Sequence, residues 1–493
     1  MEYTTLGAVD LGSNSFHLAI GRVVDDQIYP LDSLKETVRL ATGLTPDKNL
    51  DAQAQERALG ALKRFSERLS GMPRAAVRVV GTNALRVAKN AGPFLRRAES
   101  TLGFPIEVIP GREEARLIYL GVVHSLPLSN HNRLVVDIGG GSTEFIIGNK
   151  LRPKAMESLY MGCVSYTARF FPEGRIDRKS MKQAELTARE QVQAIASRYE
   201  KLGWREAVGS SGTARSIAEV LQRNGQAERG ISSAGLGWLR DQLIAAGDFR
   251  KLEIPGLRED RIPVVAGGVA IMSAVFDELG LHVMTVAEGA LRDGVLWDLL
   301  GRVHHRDIRD VTVDQFARRY HVDAAQAHRV GVLAQVLRGQ LVSSGDDLDM
   351  LGEFLDWASK LHEIGITIAQ GAYHKHSAYI LANADMPGFS RQEQGWLSNL
   401  VLAQRGKLSK MRAPFEDDPR LAALAFCLRL GVIFCRSRRS LKLPRLAVSR
   451  KAAGFRLDIE ARWLADQTLI ALALEAEREQ WHSVGMSLEV VET

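Results

Sequence analysis

Residues 133–148 of the chain read RLVVDIGGGSTEFIIG. Two apolar segments of strand length flank a turn that carries Asp137, Gly139, Gly140, Gly141, Ser142, Thr143 and Glu144. Glycine lets a backbone approach a ligand closely and adopt angles that other residues avoid. Successive main-chain N–H groups in such a turn converge on phosphate oxygens. The hydroxyls add donors, and the carboxylates suit Mg²⁺, a hard ion that prefers oxygen ligands. One such turn alone is more often an ordinary hairpin than an anion site. Residues 3–15, YTTLGAVDLGSNS, repeat the design, however: Asp10 ends a strand, and Gly12, Ser13, Asn14 and Ser15 follow. Two similar strand–turn–strand loops about one small domain apart predict two related halves that face each other across a cleft.

Outward from these loops, strands and helices alternate. Asp51–Leu69 sets Ala54, Ala58, Leu59, Leu62, Phe65 and Leu69 at helical spacing, so one face is to be buried. VRVVGTNALR (77–86) reads as a strand running into a polar turn, and IEVIPGREEARLIYLGV (106–122) as strand, glycine turn and helix. Lys179–Leu202 has a long helical pattern, and EAVGSSGTARSIAEVL (206–221) is again strand, turn and helix. Alternation of this kind predicts a layered α/β architecture. Beyond about residue 305 the strand signals fade and helical periodicity dominates from Val313 to Ser437, before two strands and a helix in 447–481. The expected divisions are 1–125, 126–305, a helical 306–440 and a small α+β part, 441–493.

The 493 residues exceed one ordinary core, and 45% hydrophobic with 25% charged residues is the balance of a water-soluble protein. The opening MEYTTLGAVDLG lacks the basic-then-apolar order of a signal peptide, and no apolar run reaches spanning length. The three cysteines, Cys163, Cys427 and Cys435, lack metal-like spacing and read as buried thiols in a reducing cytoplasm. The net charge is +6, and from Arg429 to Arg456 inclusive there are nine Lys or Arg and no acid, including Arg436, Arg438 and Arg439. Such a segment is either a solvated basic face or a track for a polyanion, whether nucleic acid, anionic lipid or polyphosphate.

The two loops resemble the first and second phosphate motifs of the actin, sugar-kinase and Hsp70 superfamily, with Gly209-Ser210-Ser211-Gly212-Thr213 where a third ligand-facing loop belongs. Within it, the blocks DLGSNSFH, GTNALR, GREEARLIYLGV, DIGGGSTE, MGCVSY, GSSGT and EGALRDGVL resemble, in order, the exopolyphosphatase and guanosine pentaphosphatase (Ppx/GppA) family. The resemblance implies two actin-like α/β domains, a helical domain similar to metal-dependent HD phosphohydrolases, and a small C-terminal part. It implies that Glu114 is the general base for the attacking water, with Asp137 and Glu144 binding Mg²⁺; Asp10, at its strand end, reads either as a cap of its turn or as a water-mediated contact to that ion. It implies that Gly12, Ser13, Asn14, Gly139, Gly140, Gly141, Ser142, Thr143, Ser211, Gly212 and Thr213 cradle phosphate, with Arg86 facing it. Without the resemblance, Glu113-Glu114 would read as helix-end electrostatics and Arg86 as a surface residue. His328, His362-Glu363 and His374–His376 lie in the helical region, but Glu363 replaces the Asp of the HD signature, so these histidines read as packing or surface residues. His17 reads as structural and Cys163 as a small buried side chain.

The leading expectation is release of terminal orthophosphate from inorganic polyphosphate. The alternative is conversion of pppGpp to ppGpp, which needs the same catalytic parts. An ATP-dependent kinase of the superfamily, or a sensor of alarmone or polyphosphate without turnover, ranks below both. The implied partners are the substrate, a second copy in a homodimer and a membrane surface for peripheral association, with nucleic acid excluded. The implied location is the cytoplasm.

Overall fold

The two glycine-bearing turns occupy equivalent places in two sheets of one design. In the first sheet, strands β1 (Thr5–Leu11), β2 (Phe16–Val24), β3 (Gln27–Glu36), β4 (Val77–Gly81) and β5 (Ile106–Val108) lie in the order β3-β2-β1-β4-β5. In the second, β6 (Arg133–Ile138), β7 (Thr143–Asn149), β8 (Arg152–Leu159), β9 (Glu206–Ser210), β10 (Ile231–Ser232) and β11 (Val283–Val286) lie in the order β10-β11-β9-β6-β7-β8. Each sheet is an antiparallel three-strand meander extended by parallel strands on the far side of its first strand, and the second adds the short edge strand β10 antiparallel to β11. Registers match as well. Asp10 pairs His17 and Asp137 pairs Glu144, so the turns 12–15 and 139–142 close equivalent hairpins. This is the α/β fold with a helical C-terminal part that the sequence predicts.

This computed structural model describes residues 3–24, 26–127, 129–303, 307–342, 348–439 and 442–493. The chain divides into two compact units, Met1–Asp307 and Ile308–Thr493. In the first unit the helices are α1 (Ala52–Leu69), α2 (Asn83–Val87), α3 (Ala91–Leu102), α4 (Gly111–His124), α5 (Cys163–Phe170), α6 (Arg178–Leu202), α7 (Ser211–Arg223), α8 (Ser233–Ala246), α9 (Val265–Glu278) and α10 (Leu291–Val303). Asp51 caps α1, its carboxylate accepting from the Ala54 amide at 2.6 Å. Ala54, Ala58, Leu62, Phe65 and Leu69 are then buried on one face, as the spacing requires.

Helices α4 and α10 cross at close range because glycines meet there. A Cβ on Gly121 would lie 2.8 Å from the Gly294 nitrogen, and any side chain at 294 would run into the Leu117 carbonyl. A buried ion network ties the same helices to β4 and β5. Asp298 accepts from Arg78 at 2.6 Å and Arg302 at 3.0 Å and is also bonded to Arg116; Arg116 holds Glu113 at 2.8 Å, and Arg78 holds Glu107 at 2.9 Å.

The second unit is mainly helical, from Ile308–Arg319 to Thr468–His482, with a three-stranded sheet of Ala447–Lys451, Gly454–Ile459 and Ser487–Glu492. The last strand, which pairs parallel to the middle one, is absent from the sequence reading, where its six alternating residues were too short a signal after a long helix. His362 and His374 are buried, and Glu363 accepts from Arg438 at 2.6 Å. Among the described residues, no group of three or more His, Cys, Asp or Glu is arranged to hold a metal ion. No helix of the described residues is long and apolar enough to cross a membrane. All three cysteines are buried and free.

Candidate active site

The two hairpin turns touch. A Cβ on Gly140 would lie 3.0 Å from the Ser13 Cβ and 3.1 Å from the Asn14 amide nitrogen. A side chain at 141 would strike the Asn83 side chain, so only glycine lets the second turn sit against the first. The Ser13 hydroxyl accepts from the Ala84 amide at 3.2 Å, which anchors the first turn to the start of α2. Amides of the α5 N-terminus hold the second turn: Cys163 donates to the Gly139 carbonyl at 2.9 Å and Val164 to that of Gly140 at 3.0 Å.

A cleft forms around these turns. Asp10, Gly12, Ser13, Asn14, Glu114, Asp137, Gly139, Gly140, Gly141, Ser142, Ser211, Gly212 and Thr213 all line it. Thr143, Glu144 and Arg86 do not. Thr143 is fully buried and donates its hydroxyl to the Met161 carbonyl, a correction to its expected place in the phosphate cradle. The Ser211 and Thr213 hydroxyls are both given to the Ile138 carbonyl, so the third loop braces the second turn through its side chains. Glu144 lies beneath the lining, 1% exposed, and accepts from Ser158 at 2.8 Å.

The adjacent acids at the start of α4 part company. Glu113 joins the buried ion network, whereas Glu114 faces the cleft and accepts from Arg86 at 2.9 Å. Arg86 is itself fixed by donation to the Ile109 carbonyl at 2.9 Å. Burial raises the Glu114 pKa, and Arg86 partly offsets that. Asp137 is raised to about 6, first by burial and then by Glu114, with a hydrogen bond from Ser210 opposing. Glu144 and Asp10 stand well above their usual range, again through burial and then the charge of Glu114. Asp10 Oδ1 is shielded from solvent and has no hydrogen-bond partner among the described residues. Several carboxylates thus share a confined space in which the charge of Glu114 raises the pKa of its neighbours.

Sequence reasoning missed the cationic side of the cleft. Arg215, Arg261, Arg292 and His17 also line it, and the first three continue into an adjoining basin with Lys35 and Arg258. Arg215 has a lowered pKa, through burial and then the nearby Arg292. Arg261 Nε is buried without a hydrogen-bond partner among the described residues. Burial and the same arginines push His17 down to about 3, so its ring is neutral. Arg215 stands two residues after GSSGT and Arg292 lies within EGALRDG, so both stood at motifs already singled out. Arg261 comes from a loop with no motif of its own. Arg436, Arg438 and Arg439 lie in the second unit, where Arg438 is paired with Asp323 at 3.0 Å and Glu363 at 2.6 Å.

Duplicated meander sheets, two touching glycine turns and an acid-and-arginine cleft define an α/β protein of actin-like fold built to hold a phosphorylated anion. A family model described as the Ppx/GppA phosphatase family matches residues 19–303, and one described as Ppx/GppA phosphatase, domain III, matches residues 308–478. The chain belongs to the Ppx/GppA phosphatase family. It is 38% identical over 489 residues to a guanosine-5'-triphosphate,3'-diphosphate pyrophosphatase of Aeromonas hydrophila subsp. hydrophila, spanning 98% of each chain. It is similar to the crystal structure of an exopolyphosphatase from Cytophaga hutchinsonii, with 29% identity and a TM-score of 0.56 over 60% of this chain and 98% of that one. A PPX-GPPA enzyme of Aquifex aeolicus shares the fold, with 24% identity and a TM-score of 0.50 over 60% of this chain and 99% of that one.

Proposed function

We propose that the chain is a hydrolase that releases the terminal orthophosphate of a polyphosphorylated substrate, with Glu114 as general base. The observation that carries this is the position of Glu114: a buried carboxylate on the lining of the cleft built by two touching phosphate-type turns, held by Arg86 at 2.9 Å. Amide groups of residues 12–14 and 139–142 cradle the terminal phosphate. Water attacks its phosphorus, the bond to the bridging oxygen breaks, and the water's proton passes to Glu114. The raised pKa makes that carboxylate a better proton acceptor than an exposed one. Arg215, Arg261 and Arg292 meet the charge of the leaving phosphate chain, shortened by one unit, in a reaction that depends on positioning and charge neutralisation.

Mg²⁺ fits the donor set. All the donors are oxygens, Asp10 Oδ1 lacks a hydrogen-bond partner among the described residues, Asp137 raises the pKa of Asp10 and Glu144, and Glu114 raises that of all three. Asp10, Asp137 and Glu144 would hold it, partly through water because they do not form a close cage. When bound, it would neutralise phosphate charge during transfer.

Two substrates suit this chemistry. The relative matched end to end is named for pppGpp, which favours the nucleotide. The structural relative named as an exopolyphosphatase favours inorganic polyphosphate as the second reading. A homodimer in the cytoplasm belongs to the same reading, with sedimentation as the check on assembly; peripheral membrane association is part of it too, checked by co-sedimentation with anionic vesicles. The substrate test is orthophosphate release from pppGpp, tripolyphosphate, long-chain polyphosphate and ATP, each with and without Mg²⁺. Release from the first three and not from ATP supports the proposal; release from none overturns it.

A further inference from the structure

Three polar residues form one row across the second meander. Asp137 of β6 is paired with Glu144 of β7, and Glu144 with Ser158 of β8. Residues directly opposite one another in antiparallel strands project from the same face of a sheet, so the hydroxyl stands beside the carboxylate. Ser158 Oγ donates to Glu144 Oε1 at 2.8 Å, where solvent has almost no access to the carboxylate.

Strand β8 also meets the helix that carries Glu114. A Cβ on Gly111, the first residue of α4, would lie 2.6 Å from the Ser158 Cβ and 2.7 Å from its Oγ, so that helix starts directly against the serine. Arg112, the next residue, donates to the Glu157 carboxylate at 2.9 and 3.0 Å. The meander itself does not call for a hydroxyl at this place. In the first sheet the matching row is Asp10, His17 and Lys35.

We propose that Ser158 is a positioning residue whose hydroxyl sets the Glu144 carboxylate in place relative to Glu114, which rests on the proposed binding of Mg²⁺ by Glu144. A donor fixed on Oε1 restricts rotation of the carboxylate about its last bond, so an ion meets a ligand that is already oriented. Because the same side chain abuts Gly111, it also ties that ligand to the helix turn that presents Glu114. Ser142 bonds Glu144 as well, so removal of the Ser158 hydroxyl loosens the carboxylate without leaving it bare.

Ser158→Ala removes the donor, and Ser158→Thr keeps a hydroxyl on the same carbon. Binding of Mn²⁺ to full-length protein without substrate, read by electron paramagnetic resonance, gives the metal affinity independently of turnover. Loss of a hydrogen bond to a ligating carboxylate costs about ten- to a hundredfold in affinity, so the Mn²⁺ Kd should rise at least about tenfold in Ser158→Ala and stay within about threefold in Ser158→Thr. The Mg²⁺ concentration for half-maximal orthophosphate release should rise in parallel, while KM for tripolyphosphate at saturating Mg²⁺ stays within about twofold. A serine with a merely structural part would lower the folded fraction and leave these constants alone. A smaller rise of Kd in Ser158→Ala, or an equal rise in Ser158→Thr, overturns the inference. Wild type that binds Mn²⁺ and releases no orthophosphate removes the proposed reaction, and the Mn²⁺ constants still decide the part played by Ser158. Wild type that binds no Mn²⁺ removes the metal assignment of Glu144 and the inference with it.

Discussion

Burial and like charge act together on the carboxylates of the cleft. Asp137, raised to about 6, is less stable as an anion in the fold than in an unfolded chain, where its pKa is near 3.8. The folded state therefore binds the extra proton between those values, and stability falls as pH rises through that window. In chelator-treated protein, Asp137→Asn should be more stable than wild type at pH 7, by up to about 3 kcal/mol. The gain should shrink as pH falls through that window and vanish near pH 3, where the wild-type acid is largely protonated in both states. Denaturant titrations at the two pH values read this directly; a variant less stable at pH 7 would contradict it. Activity would be lost in the same variant, as expected where a site accepts strain for function.

Asp10, Asp137 and the glycines were legible in sequence because a repeated strand–turn pattern marks its own ends. Glu114 was not legible from spacing, since a helix N-terminus attracts acids for reasons unconnected with catalysis. The resemblance singled it out, and the structure separates it from Glu113 by the company each keeps. Arg261 carried no signal, because its approach to Gly212 depends on folding across about fifty intervening residues.

At the scale of elements, α4 carries Glu114 at its first turn and is fixed at three places: the glycine crossing with α10, the Arg86 bond and the ion network through Asp298. The network is buried, with Arg78, Glu113 and Asp298 only 2%, 3% and 6% exposed. Removing one partner leaves guanidinium groups without compensation, so Asp298→Ala should cost about 3–5 kcal/mol. A loss below about 1 kcal/mol in chemical unfolding, the range of exposed pairs, would contradict the network's structural role. The alternation of strands and helices was readable through residue 303 because each element is amphipathic or flanked by glycine. The order of strands was not, because parallel pairing between β1 and β4, or β6 and β9, depends on contacts distant in sequence.

At the scale of the whole molecule, the basic segment 429–456 is less cationic than its composition suggests. Arg429 is buried against Glu477 at 2.5 Å, Arg456 is paired with Asp458 at 2.6 Å, and Arg438 has its two acids. Counting charges along a chain cannot see partners that arrive from other helices. Of the proposed polyanion track, Arg436 and Arg439 are the residues to test, since Arg438→Glu would also break a structural contact. Arg436→Glu/Arg439→Glu should reduce kcat/KM for long polyphosphate more than for tripolyphosphate, and equal losses would remove the track.

The two halves of the first unit matter most through what they bring together: turns from two sheets and one carboxylate from the helix between them. Orthophosphate release from pppGpp by Glu114→Gln, measured beside substrate binding, tests that convergence most directly. Turnover should fall by about a thousandfold or more, as for loss of a general base, with binding kept within a few-fold. Turnover within tenfold of wild type would contradict it.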